Sequence, residues 1–184
     1  GRRMAVDPQS TAALVEDSTG KDADRGLDEW QALYATELTA YQDGAYAKRF
    51  ESLLSRAREA GSSLGDETFA TAVAHSAYKL MAYKDEYEVA RLFLSPEIAD
   101  EVKNLPESTG KATWHFQPPF LRSMGLKRKL KLPFAIAIPI MRILSRGKFL
   151  RGTLFDPFGY AEVRKVERLI RDRYIEEILG ALQN

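Results

Sequence analysis

Apolar side chains recur at three- and four-residue intervals through much of the chain, the period of helix faces packed on a core. Asp28 is well placed to cap a first helix, and Trp30, Tyr34, Leu38 and Tyr41 form its stripe. Asp43-Gly44 marks a bend or break, after which the stripe resumes in a shifted phase with Tyr46, Phe50, Leu53, Leu54 and Ala57. Gly61 suits the position just past a helix end. Asp66 can cap the next helix, with Phe69, Val73, Ala77, Leu80 and Met81 on one face, and this helix is predicted to run on, with a kink, through Tyr87 to Phe93. Ser95-Pro96 starts a further short helix that ends before Pro106. The last helix, about 160–182, carries the longest stripe: Val163, Val166, Ile170, Tyr174, Ile178 and Leu182.

The period changes in the middle of the chain. Lys111–Gln117 is β-rich and precedes Pro118-Pro119, which predicts a strand. Residues 122–132 continue a hairpin or form a basic loop. Ala135–Ser145 is helical, entered or kinked at Pro139, and Phe155–Gly159 has turn chemistry. The predicted fold class is therefore mainly α, with α+β as the alternative: a helical domain with a small β or irregular basic segment. No repeat of 20–50 residues is visible, which argues against a solenoid.

Residues 16–26 are polar and read as a linker, so 1–26 is expected to be a tail from a preceding domain and 27–184 the domain itself. Gly1-Arg-Arg-Met is followed by neither the apolar stretch of a secretory signal nor that of a twin-arginine signal. The longest uncharged run, Leu132–Met141, is ten residues broken by two prolines, short of the roughly 20 that span a bilayer. A cytoplasmic segment of a longer polypeptide is expected. With no cysteine among 184 residues, a disulfide framework, a Cys-ligated zinc and a Cys-ligated iron–sulfur cluster are excluded. His75 and His115 are the only histidines, too few for a multi-His metal site. No phosphate-binding glycine loop or nucleophile elbow is present.

The net charge of +1 conceals a strong asymmetry. Residues 1–107 hold 12 basic and 20 acidic side chains, residues 108–155 hold 10 basic and none acidic, and residues 156–184 hold 5 and 6. This divides the domain into an acidic helical part (27–107), a basic segment (108–155) and a C-terminal helix (156–184). Lys127, Arg128, Lys129, Lys131, Arg142, Arg146, Lys148 and Arg151 are the candidate partner- or phosphate-binding residues, with Trp114, Phe116 and Phe120 able to stack on a ring. The alternatives are docking onto an acidic protein, docking onto the acidic part of the same chain, and a plain solvated surface. Nucleic acid and membrane are not the expected partners, since no known nucleic-acid module is present and the prolines interrupt an amphipathic helix.

The densest acid cluster is Asp85, Glu86 and Glu88. General acid–base chemistry needs such a group in a cleft. The simpler reading pairs Lys84 with Glu88 and Glu88 with Arg91 along a helix surface. His75, beside Val73 and Ala77, reads as a hydrogen-bonded core residue, and His115, between Trp114 and Phe116, has the better case for a polar role.

Two stretches, Lys79-Leu-Met-Ala-Tyr-Lys-Asp-Glu-Tyr-Glu-Val-Ala-Arg91 and Arg151-Gly-Thr-Leu-Phe-Asp-Pro-Phe-Gly159, resemble the C-terminal region of the large fused indolepyruvate ferredoxin oxidoreductases of bacteria. The motif residues are Lys79, Tyr83, Lys84, Asp85, Glu86, Tyr87, Arg91, His115 and Asp156, and Leu38–Tyr46 and His115–Phe120 fit the same pattern. Gly1–Pro8 resembles the point where the preceding γ-type domain ends. The resemblance implies a parent enzyme that oxidatively decarboxylates 2-oxoacids with thiamine diphosphate, iron–sulfur clusters and coenzyme A, passes electrons to ferredoxin, and is a homodimer. This chain lacks the Gly-Asp-Gly diphosphate motif and the cluster cysteines, so no cofactor and no catalytic residue is expected in it. It implies an accessory or scaffold domain packed on the catalytic domains, docking ferredoxin or a neighbouring domain through its basic segment. A site for the phosphates of coenzyme A and a purely structural or dimerisation element are the alternatives.

Overall fold

The computed structural model describes residues 25–62, 67–96, 113–116 and 130–182. Six α-helices dominate them: α1 (Leu27–Tyr41), α2 (Gly44–Ser62), α3 (Thr68–Met81), α4 (Glu86–Phe93), α5 (Phe134–Arg146) and α6 (Glu162–Ala181). Strands β1 (Thr113–Phe116) and β2 (Leu130–Pro133) form an antiparallel pair, and a 3₁₀ turn (Gly147–Leu150) follows α5. The chain is mainly α, with a small hairpin inside the basic segment. No helix among the described residues is long and apolar enough to cross a membrane.

The expected stripes of the first three helices close on one another. Tyr34 and Leu38 of α1, Phe50, Leu53, Leu54 and Ala57 of α2, and Val73, Ala74, Ala77 and Met81 of α3 form one buried cluster. Tyr174, Ile175, Ile178 and Leu179 lay the C-terminal half of α6 against it. A second packing unit is built by α4 on α5, with Ala90, Ala137 and Met141 buried and the hairpin leaning on α5. Thus Pro139 stands inside α5, and the helix continues through it.

Several expectations are corrected in detail. Gly26, not Asp28, is the N-cap of α1, and its N–H is taken by Glu29 Oε2 at 3.3 Å. Asp28 lies one step inside the first turn, where it complements the helix dipole and pairs with Arg58 of α2. Gly61 has no positive φ and remains within α2, buried, rather than reversing the chain past its end. Asp66 lies outside the described residues, and Glu67 is the N-cap of α3. His75 is hydrogen-bonded to Tyr34 (Nδ1 to Oη, 2.7 Å) and edge-on to Trp30, yet it sits at the exposed rim of the bundle.

The predicted continuous helix through Phe93 is broken. α3 closes at Ala82, and Asp85 opens α4 by accepting the Glu88 N–H at 2.9 Å. An aspartate with an extended backbone competes with the helix interior and favours a cap, which turns the chain here. The long stripe of α6 is also only half used. Val163, Val166, Leu169 and Ile170 are exposed, because α6 meets α2 and α3 through its C-terminal half. Periodicity reveals a helix face, not whether a partner covers it.

Leu38 has no solvent exposure, so Leu38→Ala is expected to lose about 3 kcal/mol of stability in denaturant melts. Leu154, 85% exposed, is the control, and Leu154→Ala is expected to change stability by less than about 0.5 kcal/mol.

Candidate functional site

The acids singled out from the sequence are not on a helix surface. Asp85, Glu86 and Glu88 are 3%, 4% and 6% exposed, so each must find a partner inside the fold. The break after α3 places all three at the start of α4, where their charge also complements the helix dipole.

Asp85 is held by Arg151 in a two-point pair, Nε to Oδ2 at 2.5 Å and Nη2 to Oδ1 at 2.8 Å. The Arg151 side chain is 6% exposed. Its Nη1 donates to Tyr41 O at 2.6 Å and to Gln42 Oε1 at 2.7 Å, and its guanidinium lies 3.6 Å from the centre of the Tyr41 ring. Burial is the largest influence and lowers the pKa of this cation, but the bonds to Asp85 together with the charges of Tyr41, Asp85 and Tyr83 hold it above the usual guanidinium value. One arginine thus joins the C-terminal end of α1, the N-cap of α4 and the segment after the 3₁₀ turn.

Asp156 organises that segment. It is 4% exposed and accepts from Tyr87 Oη at 3.0 Å, Phe158 N at 3.1 Å and Gly152 N at 3.1 Å. Two glycines make the turn possible. Gly152 has φ +75°, a region side chains disfavour, and a Cβ on Gly159 would stand 2.7 Å from Asp156 Oδ2. Phe158 packs edge-on against Tyr87, with ring centres 5.1 Å apart.

The remaining acids are paired as well. Arg91 grips Glu88 at 2.8 and 2.7 Å and reaches Glu37 of α1 at 2.9 Å. The anticipated Glu88–Arg91 pairing therefore exists within α4, with Glu88 buried and Arg91 partly so, and Arg91 adds the link to α1 through Glu37. Lys84 is exposed and lies before α4 begins, outside the helical spacing expected for a pair with Glu88. Glu86 faces Arg164 of α6 at 3.4 Å, an ion pair without hydrogen-bond geometry, while Arg164 Nη1 donates to Glu167 at 2.6 Å.

The two resemblance motifs, 60 residues apart in sequence, therefore meet in one buried polar cluster through Asp85–Arg151 and Tyr87–Asp156. Tyr83 lies at its edge, with its ring centre 6.1 Å from that of Tyr41, and Lys79 is exposed at the end of α3. Most of the cluster's polar atoms are bonded, and Tyr41 Oη, Glu86 Oε2 and Arg164 Nε are the buried ones among the described residues that are not. Each of the three acids of α4 has its own arginine.

The candidate basic residues divide. Arg142 and Arg146 are exposed on α5. Lys148 turns inward and donates to Thr39 O at 3.3 Å and Ala40 O at 2.7 Å, capping the end of α1. Burial lowers its pKa, and repulsion from Arg151 and Arg91 adds to this. Arg151 is likewise spent on the chain's own groups. In the hairpin, Lys131 stands opposite His115 in register. Lys127, Arg128 and Lys129 lie outside the described residues. Of the expected alternatives, contact with the acidic part of the same chain is made at two points, Arg151 on the Asp85 carboxylate and Lys148 on backbone carbonyls of α1. Arg164, Glu37 and Tyr41 escaped sequence reasoning, since they lie far from Glu86, Arg91 and Arg151 in the chain. The 5.9 Å stacking of Tyr41 on Tyr46 had no signal beyond the apolar stripe.

Residues 27–184 match the family described as "Family of unknown function (DUF6537)". No curated protein and no solved structure matches the chain.

Arg151→Ala would strand the buried Asp85 carboxylate and is expected to cost about 3 to 5 kcal/mol in denaturant unfolding, with Arg151→Lys restoring only part. The tyrosines around the cluster give an independent check. Burial, strengthened by Asp85, raises the pKa of Tyr41, and burial with Asp156 raises that of Tyr87; Tyr46 and Tyr83 are raised by burial too. The folded state therefore holds phenolic protons that the unfolded chain releases above about pH 10, so stability is present below that pH and lost above it. Tyrosinate absorbance of these four rings is expected to appear together with unfolding. Their titration at the ordinary pH in a still-folded chain would contradict their burial.

Proposed function

The chain belongs to the DUF6537 family, and we propose that it is the non-catalytic C-terminal accessory domain of a thiamine-diphosphate-dependent indolepyruvate ferredoxin oxidoreductase. It docks a neighbouring catalytic domain or ferredoxin through the basic segment and the apolar surface beside it. The observation that carries this reading is the fate of the motif residues. Asp85, Glu86, Glu88 and Asp156, the groups most suited to proton transfer, are bonded or ion-paired inside the fold, which is what a scaffold needs.

The surface supports the same reading. Ile136, Ile140 and Ile143 recur along the exposed side of α5, at 50%, 37% and 72% exposure. Phe149, Leu154, Phe155 and Tyr160 continue the exposed apolar groups through the segment that follows. Apolar surface of this extent is the usual mark of an interface. Arg142 and Arg146 stand on the same helix, so apolar contact and positive charge are offered together. Ferredoxins are typically acidic, and opposite charge steers such encounters. The thiamine diphosphate, the clusters and the coenzyme A site belong to the other domains of the cytoplasmic, dimeric parent.

In the parent enzyme, reversing Lys127, Arg128, Lys129 and Lys131 to Glu is expected to weaken ferredoxin association about tenfold and to flatten its salt dependence. Unchanged affinity and salt dependence would sink ferredoxin docking. Ile140→Asp with Leu154→Asp is expected to loosen the domain from its catalytic neighbours, read as faster limited proteolysis at the 1–26 linker.

A further inference from the structure

A groove between α2 and α6 carries positive charge that the chain does not neutralise. Two adjoining clefts, of about 410 and 440 Å³, share Ala45 and Arg49. The first is lined by Arg49, Arg151, Arg168, Arg171, Tyr46 and Tyr83, and the second by Lys48 and Arg56 above Leu53, Ile175 and Leu179. Arg151 is matched by Asp85, and Arg171 by Asp172 at 2.8 and 3.0 Å. Arg49, Arg168, Lys48 and Arg56 have no carboxylate partner among the described residues. The acid in the lining is Asp43, whose Oδ1 is engaged by Tyr46 N at 2.8 Å.

The walls are fixed in place. Tyr46 Oη donates to Met81 O at 3.0 Å and accepts from Arg171 Nη1 at 3.3 Å. Arg168 spends Nη2 on Gly159 O at 2.6 Å, leaving its other donors for a ligand. Arg49 rests against the Tyr46 ring at 5.8 Å. An unmatched guanidinium pair set on rigid helices suits a phosphoryl group, whose oxygens accept two-point bonds and whose double charge answers more than one cation. Leu53, Ile175 and Leu179 then supply an apolar floor beside the charged end, and the volume is that of a small-molecule site.

We propose that this groove binds an organic phosphate, with the phosphoryl group at Arg49 and Arg168 and the organic body along Leu53, Ile175 and Leu179. It stands apart from the docking reading, because the residues assigned to the ligand, Arg49 and Leu53 of α2 and Arg168, Ile175 and Leu179 of α6, lie outside the basic segment.

Calorimetric titration of the full chain with phenyl phosphate at low salt tests it. Saturable one-site binding is expected, displaced by pyrophosphate and not by benzoate. The double variant Arg49→Gln, Arg168→Gln is expected to weaken it about tenfold or more while the chain stays folded, its melting temperature lowered only by the lost Arg168–Gly159 bond. Should that variant fail to fold, Arg168→Lys, which keeps the charge and loses the fork, is expected to weaken binding severalfold. The charge reversal at Lys127–Lys131 is expected to leave phenyl phosphate binding intact, which separates this site from the docking surface. Absence of saturable heat up to ~10 mM, equal competition by benzoate, or undiminished binding by the folded arginine variants would overturn the proposal.

Discussion

The fold turns on a buried charge that had to be answered. Asp85 ends up inside the protein because it caps α4 where α3 has just closed. A lone carboxylate at that depth is costly, and only a partner with several well-aimed donors offsets it. Arg151 is that partner, and the donors left over after it grips Asp85 are taken by the last carbonyl of α1 and by Gln42. A buried ion pair of this kind adds little to net stability, but removing one partner of it is costly. It accepts one arrangement of α1, α4 and the 151–159 turn and rejects slipped ones, since a displaced Arg151 leaves Asp85 unpaired. The same logic repeats at lower stakes in Arg91, which joins Glu88 to Glu37, and in Arg164, which faces Glu86 across to α6.

The division of labour between apolar and polar contacts follows. Three helices are held by an alanine- and leucine-rich interior that sequence periodicity marks well. Among the described residues, the addition of α4, α5 and the turn is held by less apolar burial, chiefly Tyr87, Ala90, Ala137, Met141 and Phe158, and by more ionic pairing. Apolar groups of the second unit consequently remain on the outside, at Ile136, Ile143, Phe149, Leu154 and Phe155. A unit assembled by directional bonds can leave its greasy face uncovered for another surface, whereas one assembled by burial alone has none to spare.

Much of this was legible in the sequence. The mainly helical class, the break at Asp43-Gly44, the strand around Trp114 and the turn at Phe155–Gly159 follow from local rules of period, capping and turn chemistry. The break at Asp85 was not foreseen, because the apolar stripe through Leu80, Met81 and Tyr87 stays in phase across it and hides the cap. The candidate site was half legible. Asp85, Tyr87 and Asp156 stood out by clustering and by resemblance, but their partners did not. Whether Arg151 points to a ligand or to Asp85 is decided by contacts 66 residues apart, and no local pattern carries that information. For the same reason a count of charges along the chain assigned the basic character to 108–155 alone.

Pairing redraws that map of charge. Within the described residues, Arg151 and Lys148 are withdrawn from the basic segment to satisfy a carboxylate and a helix end, while Asp85 and Glu86 of the nominally negative part are answered by Arg151 and Arg164 from elsewhere in the chain. What remains is defined by which cations lack a partner, not by which segment they come from. By that measure Arg49 and Arg56 of α2 and Arg168 of α6 matter as much as Arg142 and Arg146 of α5, although α2 sits inside the acidic part of the chain. Linear charge bookkeeping treats every side chain as exposed. In a protein whose buried acids at the start of α4 each take an arginine, the surface potential is the residue left after those pairs are formed, and it concentrates wherever helix packing brings the unpaired ones together.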